Sequence, residues 1–171
     1  MSLALFDLDN TLIAGDSDHL WGDFLVAEGL VDPDKHKALN EHYYQQYQQG
    51  QLNIDEYLSF ALGPMAGMTP ETLSALQDKF LKKHVEPILL DAAFDLLQAH
   101  RVNGDTLIII TATNTLVTQP IADRLGVEHL IGCEAELKDG RYTGKPEGVP
   151  SFGEGKAVSY THLRAHETDL N

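Results

Sequence analysis

The chain has 171 residues, enough for one domain with an insertion, and 43% of them are apolar against 22% charged, so a disordered polymer is excluded. Twelve Lys and Arg against 26 Asp and Glu leave a net charge of −14, which removes the electrostatic basis for binding nucleic acid. One cysteine, Cys133, excludes a disulfide framework and a thiolate zinc site and reads as a small buried hydrophobe. No run approaches the ~18 apolar residues of a membrane span, and Met1–Asn10 has no signal-peptide pattern. A cytoplasmic protein without a membrane partner is therefore expected.

Leu3-Ala4-Leu5-Phe6 reads as a buried parallel strand that stops at the acidic turn Asp7-Leu8-Asp9-Asn10-Thr11. From Asp16 to His100 the composition becomes helical. Breaks at Gly29–Pro33, Gly50–Asn53 and Gly63–Pro70 predict helices over Ser17–Glu28, Asp34–Gln49, Ile54–Leu62 and Thr69–His100. The last is interrupted near Pro87 and opens with Thr69 as N-cap and Pro70 at the first helical position. Thr106–Thr111 is the clearest strand, continuously apolar and β-branched. Thr115–Leu125 follows as a helix with Gly126 as C-cap, then a short strand at Leu130–Cys133. Ala135–Leu137 and Arg141–Thr143 flank Lys138-Asp139-Gly140 and predict a hairpin. A strand, a long helical insert, then strand–helix–strand predicts an α/β core carrying a helical cap.

Asp7 and Asp9 are two apart, so in extended backbone they share a face, at the carboxyl end of a strand where open α/β sheets hold ligands. Crowded carboxylates repel unless a cation or a shared proton relieves them, which favours a Mg²⁺ site. An EF-hand is excluded because its sixth position, which needs Gly, is Leu12, and its twelfth, which needs Glu, is Asp18. A P-loop ending at Gly155-Lys156 fails because its first position is Pro150. There is no Gly-x-Ser-x-Gly elbow.

Phe6-Asp7-Leu8-Asp9-Asn10-Thr11 resembles the first motif, hhhhDxDxT, of the haloacid-dehalogenase superfamily of hydrolases. Ile108-Ile109-Ile110-Thr111 resembles its second motif, and Lys156 its third-motif lysine. The insert between the first two motifs is similar to the cap of the phosphoserine-phosphatase-like branch, subfamily IB. The resemblance covers residues 1 to about 157. It implies a Rossmann-like three-layer core with a parallel sheet (residues 1–15 and 101–157) and a helical cap (16–100). It implies a phosphomonoester phosphatase in which Asp7 is the nucleophile and Asp9 the acid/base. Thr111 and Lys156 would bind the phosphoryl oxygens, and Asp7 with the Asp9 carbonyl would hold Mg²⁺. The partner would be a small phosphorylated metabolite. Asp16 and His19 are candidate substrate contacts, and Trp21 is expected beside them at the cleft.

The family's fourth motif, an Asp-bearing strand, is not found, since only 15 residues follow Lys156. Residues 158–171 resemble translated sequencing-adaptor read-through, so the sheet is expected to be incomplete and the chain a poorly active fragment with a non-native tail. A module that keeps the fold without turnover is the competing reading. Family members that act on phosphoserine use a cap arginine, but no arginine precedes Arg101. Ser59 stands roughly where it would lie. A carboxylate-free ester such as histidinol phosphate is therefore expected over phosphoserine.

Overall fold

The computed structural model describes residues 2–151; Lys156 and the 158–171 tail lie outside them. Strand β1 (Leu3–Phe6) is followed by five helices: α1 (Ser17–Ala27), α2 (Pro33–Gln48), α3 (Ile54–Leu62), α4 (Pro70–Phe80) and α5 (Asp91–Val102). Then come β2 (Thr106–Asn114), α6 (Thr115–Leu125), β3 (His129–Lys138) and β4 (Arg141–Glu147). The strands form one sheet in the order β1-β2-β3-β4, the first three parallel and β4 antiparallel to β3. This is the α/β architecture expected. No helix among the described residues is long and apolar enough to cross a membrane.

Local chemistry sets the helix starts. Asp16, Asp32, Asn53, Thr69 and Asn114 each accept a backbone N–H three residues on, which satisfies a donor that the first turn leaves unpaired. Gly126 closes α6 in the left-handed region, at φ 68°. Pro120 lies inside α6 and cannot donate to the Leu116 carbonyl; Gln77 Nε2 supplies that bond from α4 at 2.6 Å.

The helix expected over Thr69–His100 is interrupted at Pro87 as foreseen, and its regular α-helical part already ends at Phe80. A π-helical turn at Leu81–Val85 and a 3₁₀ turn at Glu86–Ile88 separate α4 from α5. The backbone in this break pairs with the loop after β1 instead of continuing a helix: Ala14 N–H donates to Ile88 O at 2.8 Å and Leu90 N–H to Leu12 O at 3.4 Å. Leu130–Cys133 and Ala135–Leu137, expected as separate segments, are one strand. Its first half pairs with β2, and its second half pairs with β4 through an Asp139-Gly140 turn with both residues at positive φ, Ala135 and Tyr142 packing against the core. Strand β1 is less covered than expected: Ala4 and Phe6 are 8% exposed but Leu5 is 47% exposed at the sheet edge.

The core runs from β2 (Leu107, Ile109) through α6 (Val117, Ile121) to an aromatic cluster of Trp21, Phe24 and Phe80. Trp21 is 2% exposed and packs edge-on against Phe80 at 5.0 Å, so it belongs to this core and not to the cleft. Cys133 is buried beside the end of β2, where its Sγ donates to Ala112 O at 3.2 Å.

Candidate active site

Parallel pairing aligns the carboxyl ends of β1 and β2, with Phe6 opposite Ile109. The next residues on each strand, Asp7–Asp9 and Thr111–Thr113, therefore meet at one edge of the sheet, where parallel α/β sheets present ligands. Asn10 follows Asp9 at φ 56°, a left-handed conformation that Asn tolerates, and donates its N–H to Gly15 O at 2.9 Å. The chain thus turns sharply and α1 begins beside Asp9. At Gly132 a Cβ would stand 2.9 Å from Thr113 O, so glycine lets β3 approach the end of β2.

Asp9 is clamped from two elements. Its Oδ1 accepts the Ser17 N–H at the start of α1 at 2.6 Å, and its Oδ2 accepts the Thr113 hydroxyl at 3.1 Å. Burial raises its carboxyl above the ordinary range, with a contribution from the charge of Asp16, although the bonds from Ser17 and Thr113 oppose the rise. Thr111 is 1% exposed, and its Oγ1 accepts the Thr113 N–H at 3.1 Å, which leaves the hydroxyl proton to donate elsewhere. Asp7 stands exposed at the same edge.

These residues open onto a cleft of about 570 Å³ between the sheet edge and α1–α3. Asp7, Asp9, Thr111, Ala112 and Thr113 line one side, Asp16, Asp18 and His19 a second, and Asn40, Glu41, Tyr43, Tyr44, Tyr47 and Tyr57 the third. Asp7, Asp9, Asp16, His19 and Thr111, all singled out from the sequence, are thus brought together. Ser59 does not line the cleft; its hydroxyl donates to Asp55 O within α3. His19 sits at the rim, near Asp23 (Nε2 to Oδ2, 3.6 Å) and Asn40 (3.5 Å). Lys156 lies outside the described residues.

Sequence reasoning missed Thr113, Asp18 and the tyrosines. Thr113 was legible as the residue two after Thr111, on the same face of β2. Asp18 is partly covered, and its carboxyl is pushed up to about 7, by lost hydration first and then by the charges of Asp16 and Asp9. Among the described residues no group of three or more His, Cys, Asp or Glu side chains is arranged to hold a metal ion.

Residues 4–171 match the haloacid dehalogenase-like hydrolase family. The chain belongs to that family. It is an enzyme that groups by sequence with the family's phosphatases. It is 41% identical over 156 residues to a histidinol-phosphatase of Neisseria meningitidis, a match spanning 91% of this chain and 70% of the relative. It is 31% identical to a phosphoserine phosphatase of Mycobacterium tuberculosis, spanning 96% of this chain and 54% of that protein. Among solved structures, a protein of unknown function from Bordetella pertussis superposes with a TM-score of 0.89 at 41% identity, over 97% of this chain and 75% of that one. A substrate-bound phosphoserine phosphatase shares the fold, with a TM-score of 0.63 at 17% identity over 98% of this chain and 72% of that one.

Proposed function

We propose that the chain hydrolyses small phosphomonoesters through a phosphorylated Asp7. The observation that carries this reading is the meeting of Asp7, Asp9 and Thr111 at one sheet edge, in a single cleft of about 570 Å³. An Asp7 oxygen attacks phosphorus as the ester P–O bond breaks, and the departing alkoxide takes a proton from Asp9. Asp9, now a carboxylate, takes a proton from water, whose oxygen attacks the aspartyl phosphate and releases inorganic phosphate with Asp7 restored. Burial that raises the Asp9 carboxyl suits a group that must hold a proton before giving it up. Thr111 donates its hydroxyl proton to a phosphoryl oxygen, and Lys156 neutralises another as the family resemblance implies.

The Asp7 carboxylate and the Asp9 backbone carbonyl are hard oxygen donors that suit Mg²⁺, and with no third acidic partner grouped with them among the described residues they form part of a donor set. Bound there, Mg²⁺ would offset negative charge on the phosphoryl group. The residues 1–15 and 101–157 make the catalytic unit, and 16–100 supply the wall that selects the leaving group.

The preferred ester lacks a carboxylate, as in histidinol phosphate, the substrate class named for the Neisseria relative. The described cleft lining contains no Arg or Lys to grip the carboxylate of phosphoserine. The test compares kcat/KM for histidinol phosphate and phosphoserine and repeats both with Asp7→Asn. Hydrolysis that favours histidinol phosphate and vanishes in the variant is expected. Unchanged turnover by Asp7→Asn refutes the mechanism, and a preference for phosphoserine refutes the substrate reading.

A further inference from the structure

Helix α2 is unusual in having no buried residue along its 16 positions. An ordinary surface helix buries a stripe at i, i+3, i+4 and i+7. In α2 that stripe is Asn40, Tyr43, Tyr44 and Tyr47, and it faces the cleft opposite Asp7. Tyr43 is held from α3, edge-on to Tyr57 at 5.6 Å and against Phe60 at 5.2 Å. Tyr44 and Tyr47 remain 55% and 59% exposed. The ring surface that Tyr44 and Tyr47 expose lies on the wall of the cavity, where an entering ligand would meet it.

Charge selects that ligand. With Asp7 and Asp9 committed to the phosphoryl group, Asp16, Asp18 and Glu41 remain as three further carboxylates in the lining, with no Lys or Arg among the described lining residues to balance them. The one imidazole among the described lining residues, His19, is engaged at the rim by Asp23 and Asn40. Lost hydration first, and then the charges of Asp16 and Asp9, hold the Asp18 carboxyl up to about 7. Aromatic faces backed by carboxylates attract a desolvated cation and stack on flat rings.

We propose that Tyr43, Tyr44, Tyr47 and Tyr57, with Asp16, Asp18 and Glu41, form a leaving-group subsite for a flat or ammonium-bearing cationic alcohol, so that specificity resides in α2. The inference rests on the phosphatase reading for its role and on the cleft geometry for its existence. Two measurements separate these. First, the ratio of kcat/KM for histidinol phosphate to that for glycerol 2-phosphate is compared between the protein and its Tyr44→Ala/Tyr47→Ala variant. The ratio should fall about tenfold, the order of a desolvated cation–π contact. Both tyrosines are exposed, so a melting curve like that of the parent is expected and serves as the folding control. Second, histidinol, which carries no phosphate, is titrated calorimetrically into Asp7→Asn protein with and without the two tyrosine changes. Binding that weakens at least severalfold with the tyrosine changes upholds the subsite even where no ester is hydrolysed, and then the phosphatase reading alone falls. Hydrolysis of both esters with an unchanged ratio, and histidinol binding indifferent to the tyrosines, overturns the subsite and leaves the phosphatase reading standing.

Discussion

Replacing Asp18 with Asn should make the protein more stable at neutral pH and worse at selecting its substrate. The Asp18 carboxyl is pushed from 3.8 up to about 7 by lost hydration and by its neighbours Asp16 and Asp9. A raised folded pKa means that the folded state keeps a proton that the unfolded state has already released. Stability from this group is therefore fully present below pH 4 and is lost as pH rises to about 7. A shift of roughly three units corresponds to about 4 kcal/mol in a dry site, and the partial solvent contact of Asp18 reduces this to about 2 kcal/mol. Asn carries no charge at any pH. The difference in unfolding free energy between variant and parent should be near zero at pH 4 and about 2 kcal/mol in favour of the variant at pH 8, a rise of roughly 4–8 °C in Tm for a chain of this size. Urea melts at half-unit pH steps, in chelator and without substrate, would measure it. Asp9 is coupled to Asp18 by charge, so the difference reports the pair of carboxylates rather than Asp18 alone. A difference that stays flat between pH 4 and 8 would refute the account of crowded carboxylates at the start of α1.

Thr113→Val removes one of the two donors that orient Asp9 and should lower kcat about 10- to 100-fold, the range of a hydrogen bond to a charged group. Thr113→Ser should restore most of the loss in steady-state assays with histidinol phosphate. Gln77→Ala strips the Leu116 carbonyl of the donor that stands in for Pro120 and should cost about 1–3 kcal/mol in urea denaturation. Removal of divalent cations with chelator should abolish phosphomonoester turnover, and added Mg²⁺ should restore it.

Elements that carried their own punctuation were legible. Ile54–Leu62 was readable to the residue because Asn53 caps it and Gly63 ends it, and Thr115–Leu125 because Gly126 closes it. The break between α4 and α5 was foreseen near Pro87, but its early start at Leu81 was not, because its cause is tertiary: its backbone bonds to the loop after β1, 74 residues or more away in the chain. Strand β3 read as two pieces because its inner half is apolar while its outer half alternates the charged Glu134, Glu136 and Lys138 with Ala135 and Leu137. At the site, Asp7, Asp9 and Thr111 were visible because their chemistry demands those types at a strand end. Thr113 was legible only as a neighbour of Thr111 on the same strand face; its role was not, since that role is a bond to a residue 104 positions away. Trp21 was assigned to the cleft because nearness to Asp9 in sequence gives no information about which way a helix turns. The tyrosines of α2 have the spacing of a core stripe, and only the packing tells a stripe that meets protein from one that meets a cavity.

Helix α2 also changes what substitution can do to this enzyme. Side chains that fill a core are constrained by their neighbours, so most changes there cost stability before they alter anything else. The exposed α2 tyrosines that face the cleft, Tyr44 and Tyr47, are not part of the buried core. They can therefore drift or be exchanged as a block while the sheet, the Asp9 clamp and the folding free energy stay almost as they are. On the proposed reading, new preferences for the alcohol released would arise in α2 by single steps, each tolerated by the fold, while Asp7 and Asp9 stay fixed at the strand end.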